Sequence, residues 1–195
     1  ERVYLLEDDY NGEFRYLHQP TPALHSFGNR EQIIYLGSFS RTLLPSLRIS
    51  YLVLPEKLLN AYHSIAERYN QTSSTVEQLA LASYIAEGHL TRHIRKLRNS
   101  YWSKSQQLQT ALLQGFGNQV ELLSYGSGLH LHIALHLPGT AEELARKALM
   151  GGVKIIPVKG PTSGKWPEFL LSFAGIAGEK IQAGVRALKM ALEAG

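Results

Sequence analysis

Two short polar stretches hold the residues whose types could do chemistry. The first is Glu7-Asp8-Asp9, which follows an apolar run over residues 3–6. Carboxylates at the end of a strand can hold Mg²⁺, move a proton or pair with a cation. A solvated acidic turn is the plainer reading of the same residues. The second stretch is Ser38-Phe39-Ser40-Arg41-Thr42, with Arg48 seven residues beyond Arg41. Hydroxyls are neutral donors and guanidinium groups are charged forks, so together they suit a phosphate. Hydroxyls and arginines are also ordinary loop residues, and neither stretch is specific by itself.

Other groups favour structural readings. His130, His132 and His136 share one parity on a predicted strand, and such a row can bind Zn²⁺. No metal is assigned to them, nor to His89 and His93, four apart near a helix start. The basic run over residues 92–98 keeps its apolar positions in helical period, as the solvated face of a helix does. Tyr101 and Trp102 are read as packing residues.

The elements that must position these groups follow from periodicity and capping. Apolar runs over 3–6, 33–36 and 49–54 predict strands, two of them leading into polar segments as strands of a doubly wound sheet do. Pro55 predicts a helix start, with the helix running to about 69. Thr75, with Gln78 three residues on, predicts a capped helix to 88. Leu90, Ile94, Leu97, Tyr101, Leu108 and Leu112 mark one buried stripe of a longer helix over 90–113, stopped by Gly115 and Gly117. Beyond it the pattern changes to strands over 120–123, 129–137, 153–157 and 169–173. A helix capped by Thr140 with Glu143 follows the second of these, and an amphipathic helix over 179–192 comes last. The tail is thus a small α+β unit.

Composition sets bounds. The 195 residues suffice for a real core and include no cysteine, which removes disulfides and thiolate metal sites. A formal charge of +4 is too mild to imply nucleic acid unless it gathers on one face. No apolar run nears the roughly 20 residues that span a bilayer. The start, with no methionine and no signal-peptide pattern, predicts a chain cut from something longer.

Taken together and in order, the two polar stretches become specific. Glu7-Asp8-Asp9-Tyr10, then Gly37-Ser38-Phe39-Ser40-Arg41-Thr42-Leu43-Leu44-Pro45-Ser46-Leu47-Arg48-Ile49-Ser50-Tyr51, resembles the aminotransferase-like domain of MocR/GabR-type regulators of the GntR family. The resemblance continues through Glu77-Gln78-Leu79, Gly88-His89-Leu90, His93-Ile94-Arg95, Gly128-Leu129-His130 and Leu171-Ser172-Phe173-Ala174. It implies an α/β fold: the second half of a fold-type-I large domain, a three-stranded piece of a mostly parallel sheet whose last strand is antiparallel, plus a small C-terminal α+β domain. The implied division is 1–88, a connecting helix over 89–115, and 116–195. The implied cofactor is pyridoxal phosphate. Asp8 would pair with its ring nitrogen and Tyr10 with its ring hydroxyl, and Ser38, Ser40 and Arg48 would hold its phosphate.

Two departures bear on function. The family pattern places a lysine after Ser-Phe-Ser, where it forms the Schiff base; this chain has Arg41. Arginine stays charged and makes no such imine. The pattern also carries an arginine for a substrate carboxylate on a late strand, and the matching position holds Leu170, with Lys165 nearby in sequence. The resemblance therefore implies a cytoplasmic, dimeric regulator that senses a small effector, an amine or amino acid, and does not transaminate. Its DNA-binding winged helix and the rest of its cofactor site would precede residue 1, so cofactor binding by this stretch alone would be weak or absent. A working aminotransferase is the alternative implied by the same resemblance. A Mg²⁺ phosphotransfer site built on Glu7, Asp8 and Asp9 is a third reading.

Overall fold

The computed structural model describes residues 3–9, 12–14, 22–28, 30–70, 72–159 and 164–194. The chain folds as two compact units, Glu1–Lys96 and Leu97–Gly195.

The first unit is built on three strands, β1 (Leu5–Asp8), β2 (Ile33–Ser38) and β3 (Ser50–Val53), in that spatial order. β1 runs parallel to β2, with Leu5 beside Ile33 and Asp8 beside Leu36. β3 runs antiparallel to β2, with Gly37 beside Tyr51 and Ser38 beside Ser50. The sheet expected from residues 3–6, 33–36 and 49–54 is therefore present, with its last strand reversed. Helices α1 (Glu56–Ala66) and α2 (Thr75–Ala86) follow.

Two caps differ from the sequence reading by one residue. Pro55 is the N-cap of α1 rather than its first helical residue. Ser74, not Thr75, caps α2, its hydroxyl accepting from the Glu77 N–H at 3.4 Å. The shift has a simple cause. Ser74 and Thr75 are adjacent capping-type residues, and the one that stays extended takes the role.

Helix α3 (His89–Phe116) is longer than its apolar stripe predicts and runs through Gly115. It ends at Gly117, whose φ of +52° lies in the left-handed region that suits glycine. The unit boundary at Lys96 falls inside this helix. Burial along α3 begins only at Ser105 and continues through Leu108, Ala111, Leu112 and Phe116, so Leu90, Ile94, Leu97 and Tyr101 are half-buried rather than core.

The second unit is an antiparallel sheet in the order β4 (Val120–Ser124), β5 (His130–Leu135), β7 (Glu168–Ser172), β6 (Ile156–Pro157). Helices α4 (Ala141–Met150) and α5 (Gly178–Glu193) complete it. Alternation governs its core: Leu131, Ile133 and Leu135 of β5 and Phe169 and Leu171 of β7 are buried, as are Ile181, Val185 and Leu188 of α5. The Thr140–Glu143 capping box of α4 closes in both directions, as the sequence predicts. The expected strand over 153–157 shrinks to two residues. Among the described residues no helix is long and apolar enough to cross a membrane.

Candidate functional site

Strand alternation separates the three acidic residues at the end of β1. Glu7 lies beside Tyr35, and its two carboxylate oxygens accept the backbone N–H groups of Leu24 and His25 at 2.6 and 2.9 Å. It anchors the 3₁₀ turn Leu24–Phe27. Asp9 accepts a hydrogen bond from the Tyr35 hydroxyl at 3.2 Å. Asp8, between them in sequence, belongs to the opposite face, the face of Leu36, Ser38 and Ser50. The three carboxylates therefore do not converge, and among the described residues no group of three metal-ligating side chains exists. The Mg²⁺ reading of Glu7, Asp8 and Asp9 is overturned by this alternation.

On its own face Asp8 meets the second polar stretch. Asp8, Ser38, Arg48, Ser50, Tyr51 and His63 are among the residues lining a cavity of about 710 Å³ in the first unit. Arg48 reaches it through a backbone device. It ends the 3₁₀ turn Pro45–Leu47 at φ +51°, the one left-handed non-glycine among the described residues. Such a conformation costs a non-glycine residue roughly 1–2 kcal/mol. Phe39 N–H to the Ile49 carbonyl, at 3.1 Å, ties the two ends of the loop together. Among the described residues neither the Asp8 carboxylate nor the Arg48 guanidinium is engaged by a hydrogen bond or ion pair.

Of the other expected site residues, Ser40 and Arg41 do not line this cavity. Ser40 donates its backbone N–H to the Ser38 hydroxyl at 3.2 Å, and Arg41 is an exposed residue of the following turn. Tyr10 lies outside the described residues. In the second unit Leu170 sits in mid β7, paired with His132 on one side and Ile156 on the other. Lys165 is exposed, its ammonium 5.9 Å from the Trp166 ring centroid.

The histidine row is put to structural use. His132 Nε2 lies 2.7 Å from a carboxylate oxygen of buried Glu168. His136 stacks on Trp166 at 5.2 Å and bonds the Asn118 carbonyl through Nδ1.

Sequence reasoning missed Ser50, Tyr51, Tyr62 and His63 as cavity residues. Ser50 carried a signal, since antiparallel pairing sets it opposite Ser38. Tyr51 did not, because its place depends on Gly37. A Cβ on Gly37 would collide with the Tyr51 ring. Behind the cavity, burial raises the Tyr35 phenol well above the usual tyrosine value, with Tyr51 and Asp9 adding to the effect. Burial also raises Tyr51.

A carboxylate, a guanidinium and hydroxyls lining one polar cavity suit a ligand that carries both a protonated ring nitrogen and a phosphate. The residues present fit that half of a pyridoxal phosphate site. No lysine lines the cavity among the described residues.

With this sheet and this cavity, the chain belongs to the class I and II aminotransferase family, whose model matches residues 2–188. Within that fold it groups with MocR-type regulators. An uncharacterized HTH-type transcriptional regulator of Bacillus subtilis, YdeL, is 40% identical over 190 residues, which is 96% of this chain and 41% of YdeL. The probable rhizopine catabolism regulatory protein MocR of Rhizobium meliloti is 27% identical over 97% of this chain and 39% of its own. Among solved structures, the α-aminoadipate aminotransferase LysN of Thermus thermophilus matches with a TM-score of 0.80 and 27% identity, over 98% of this chain and 50% of that one. The chain thus spans about two-fifths of these regulators and half of that enzyme. The architecture is that of fold-type-I aminotransferases.

Proposed function

We propose that this chain is the cofactor- and effector-sensing part of a MocR-type transcriptional regulator that binds pyridoxal phosphate without catalysing transamination. The observation that carries the reading is one cavity lined by Asp8, Ser38 and Arg48; the family resemblance adds Arg41 at the position of the Schiff-base lysine. Pyridoxal phosphate, when bound, supplies an aldehyde that condenses with amines and a ring that withdraws electrons. Asp8 would accept from the ring N–H, and a charge-assisted bond of that kind contributes roughly 1.5–3 kcal/mol. Tyr10 would bond the ring hydroxyl. Ser38 and Arg48 would hold the phosphate. An arginine at position 41 can donate hydrogen bonds but can neither attack an aldehyde nor shuttle a proton.

In this reading the chain is part of a longer polypeptide. Residues 1–88 complete a large domain, 89–115 form a connecting helix and 116–195 a small domain. DNA is bound by a winged helix elsewhere in that polypeptide. The protein works as a cytoplasmic homodimer, and its effector is an amine or amino acid. Leu170, where a carboxylate-binding arginine is expected, points to an effector held differently from an ordinary transamination substrate.

The likeness to LysN favours a second reading, an aminotransferase, and one experiment separates the two. The intact protein and its Arg41→Lys variant are each mixed with pyridoxal phosphate, reduced with borohydride and mapped by mass spectrometry. The expected result is no preferred lysine in the natural protein and labelling of position 41 in the variant. A natural protein labelled at one other lysine, and transaminating through it, overturns the proposal.

A further inference from the structure

We propose that His93 is a positioning residue that holds the turn carrying Arg41 against helix α3. The inference rests on the cofactor-site reading of that turn.

The turn after Ser38 is closed locally. The Leu43 N–H donates to the Phe39 carbonyl at 2.9 Å, and the Thr42 hydroxyl donates to the same carbonyl at 3.4 Å. These bonds close residues 39–43 on themselves but leave the Thr42 carbonyl without a local partner. Thr42 is 2% exposed, although it sits in a loop. A backbone carbonyl there needs a donor, because water cannot reach it freely.

The donor comes from 51 positions along the chain: His93 Nε2 lies 2.9 Å from the Thr42 oxygen. A carbonyl only accepts, so Nε2 carries the hydrogen. The neutral Nε2–H tautomer and the protonated ring both satisfy this, and the clamp needs no particular charge on His93. Apolar packing supports it. Leu43, Leu47, Leu81 and Tyr84 line one groove with His93, so the ring enters from α3 between the turn and α2.

Arg41 directly precedes Thr42, and fixing the Thr42 carbonyl fixes the peptide unit next to it. The helix that supplies the imidazole continues past Lys96 into the second unit. His93 therefore ties position 41 to an element shared by both units.

The test uses the intact protein in two backgrounds. In Arg41→Lys, borohydride-trapped pyridoxal phosphate at position 41 is counted against label at all other lysines. Adding His93→Ala should lower that ratio about tenfold, the worth of one hydrogen bond lost at a buried acceptor, and His93→Gln, which keeps a donor, should restore most of it. A ratio untouched by His93→Ala overturns the proposal.

Arg41→Lys that takes no label at all defeats the cofactor reading instead. The decision then falls to the natural sequence without cofactor. Hydrogen exchange at the Leu43 amide should quicken about tenfold in His93→Ala and recover in His93→Gln, with exchange in α5 unchanged as a control for general loosening. Unchanged exchange at Leu43 sinks the clamp.

Discussion

Asp8, Glu7 and Asp9 are chemically near-identical neighbours with three different fates. One faces the cavity, one caps a turn, and one accepts from a phenol. The phenol makes a testable statement. Tyr35 is raised by burial first, then by Tyr51 and Asp9, so the folded state favours its neutral form. A raised acid stabilises the fold fully below its unfolded value of 10, and that increment is lost as pH climbs toward the folded value. Stability of the natural protein should therefore fall more steeply above that point than stability of Tyr35→Phe. Urea unfolding across alkaline pH reads this directly. Parallel slopes for the two proteins would show that Tyr35 is not shielded as the structure has it.

Helix α4 shows how much a cap does for a short element. The Thr140 hydroxyl accepts the Glu143 N–H at 3.2 Å, while the Glu143 carboxylate accepts the Thr140 N–H at 2.8 Å. Thr140→Ala should cost about 1 kcal/mol, seen as a lower urea midpoint for the second unit. The backbone N–H of Thr140, then its side chain, holds the Glu143 carboxyl below its ordinary 4.5. A depressed carboxyl stabilises above that ordinary value, and the contribution disappears as pH falls through the folded one. Natural protein and Glu143→Gln should therefore differ in α4 amide protection at neutral pH and converge in acid. A difference that persists in acid would place the effect elsewhere.

The two units differ in how well they cover their apolar surface. The second buries Phe169, Leu131, Ile133 and Leu135 completely. In the first, β3 has no buried residue and α1 buries none, while Leu6 of β1 is 63% exposed and Leu52 of β3 is 45% exposed. Among the described residues β1 and β3 are also the outer strands of their sheet, and unpaired strand edges recruit other strands. The 195-residue chain on its own should therefore self-associate, and Leu6→Lys with Leu52→Lys should shift it toward monomer. Light scattering decides this; a clean monomer of the natural chain at high concentration would count against the argument.

Local chemistry made much of this protein legible in its sequence. The strands around residues 5, 33 and 50 and the Thr140 cap each follow from patterns a few residues long. Asp8, Ser38 and Arg48, singled out through the family resemblance, line one cavity in the structure. The sequence also carries an arginine, Arg41, directly after Ser38-Phe39-Ser40. Register and burial were decided only in three dimensions. Which of Glu7, Asp8 and Asp9 meets Ser38 depends on pairing with β2 and β3, because a slip of one residue reverses every side chain. The place of Tyr51 depends on the empty space over Gly37. The bond from His93 to Thr42 joins residues far apart in the chain, and no local pattern can encode a contact that exists only after the intervening chain has folded back.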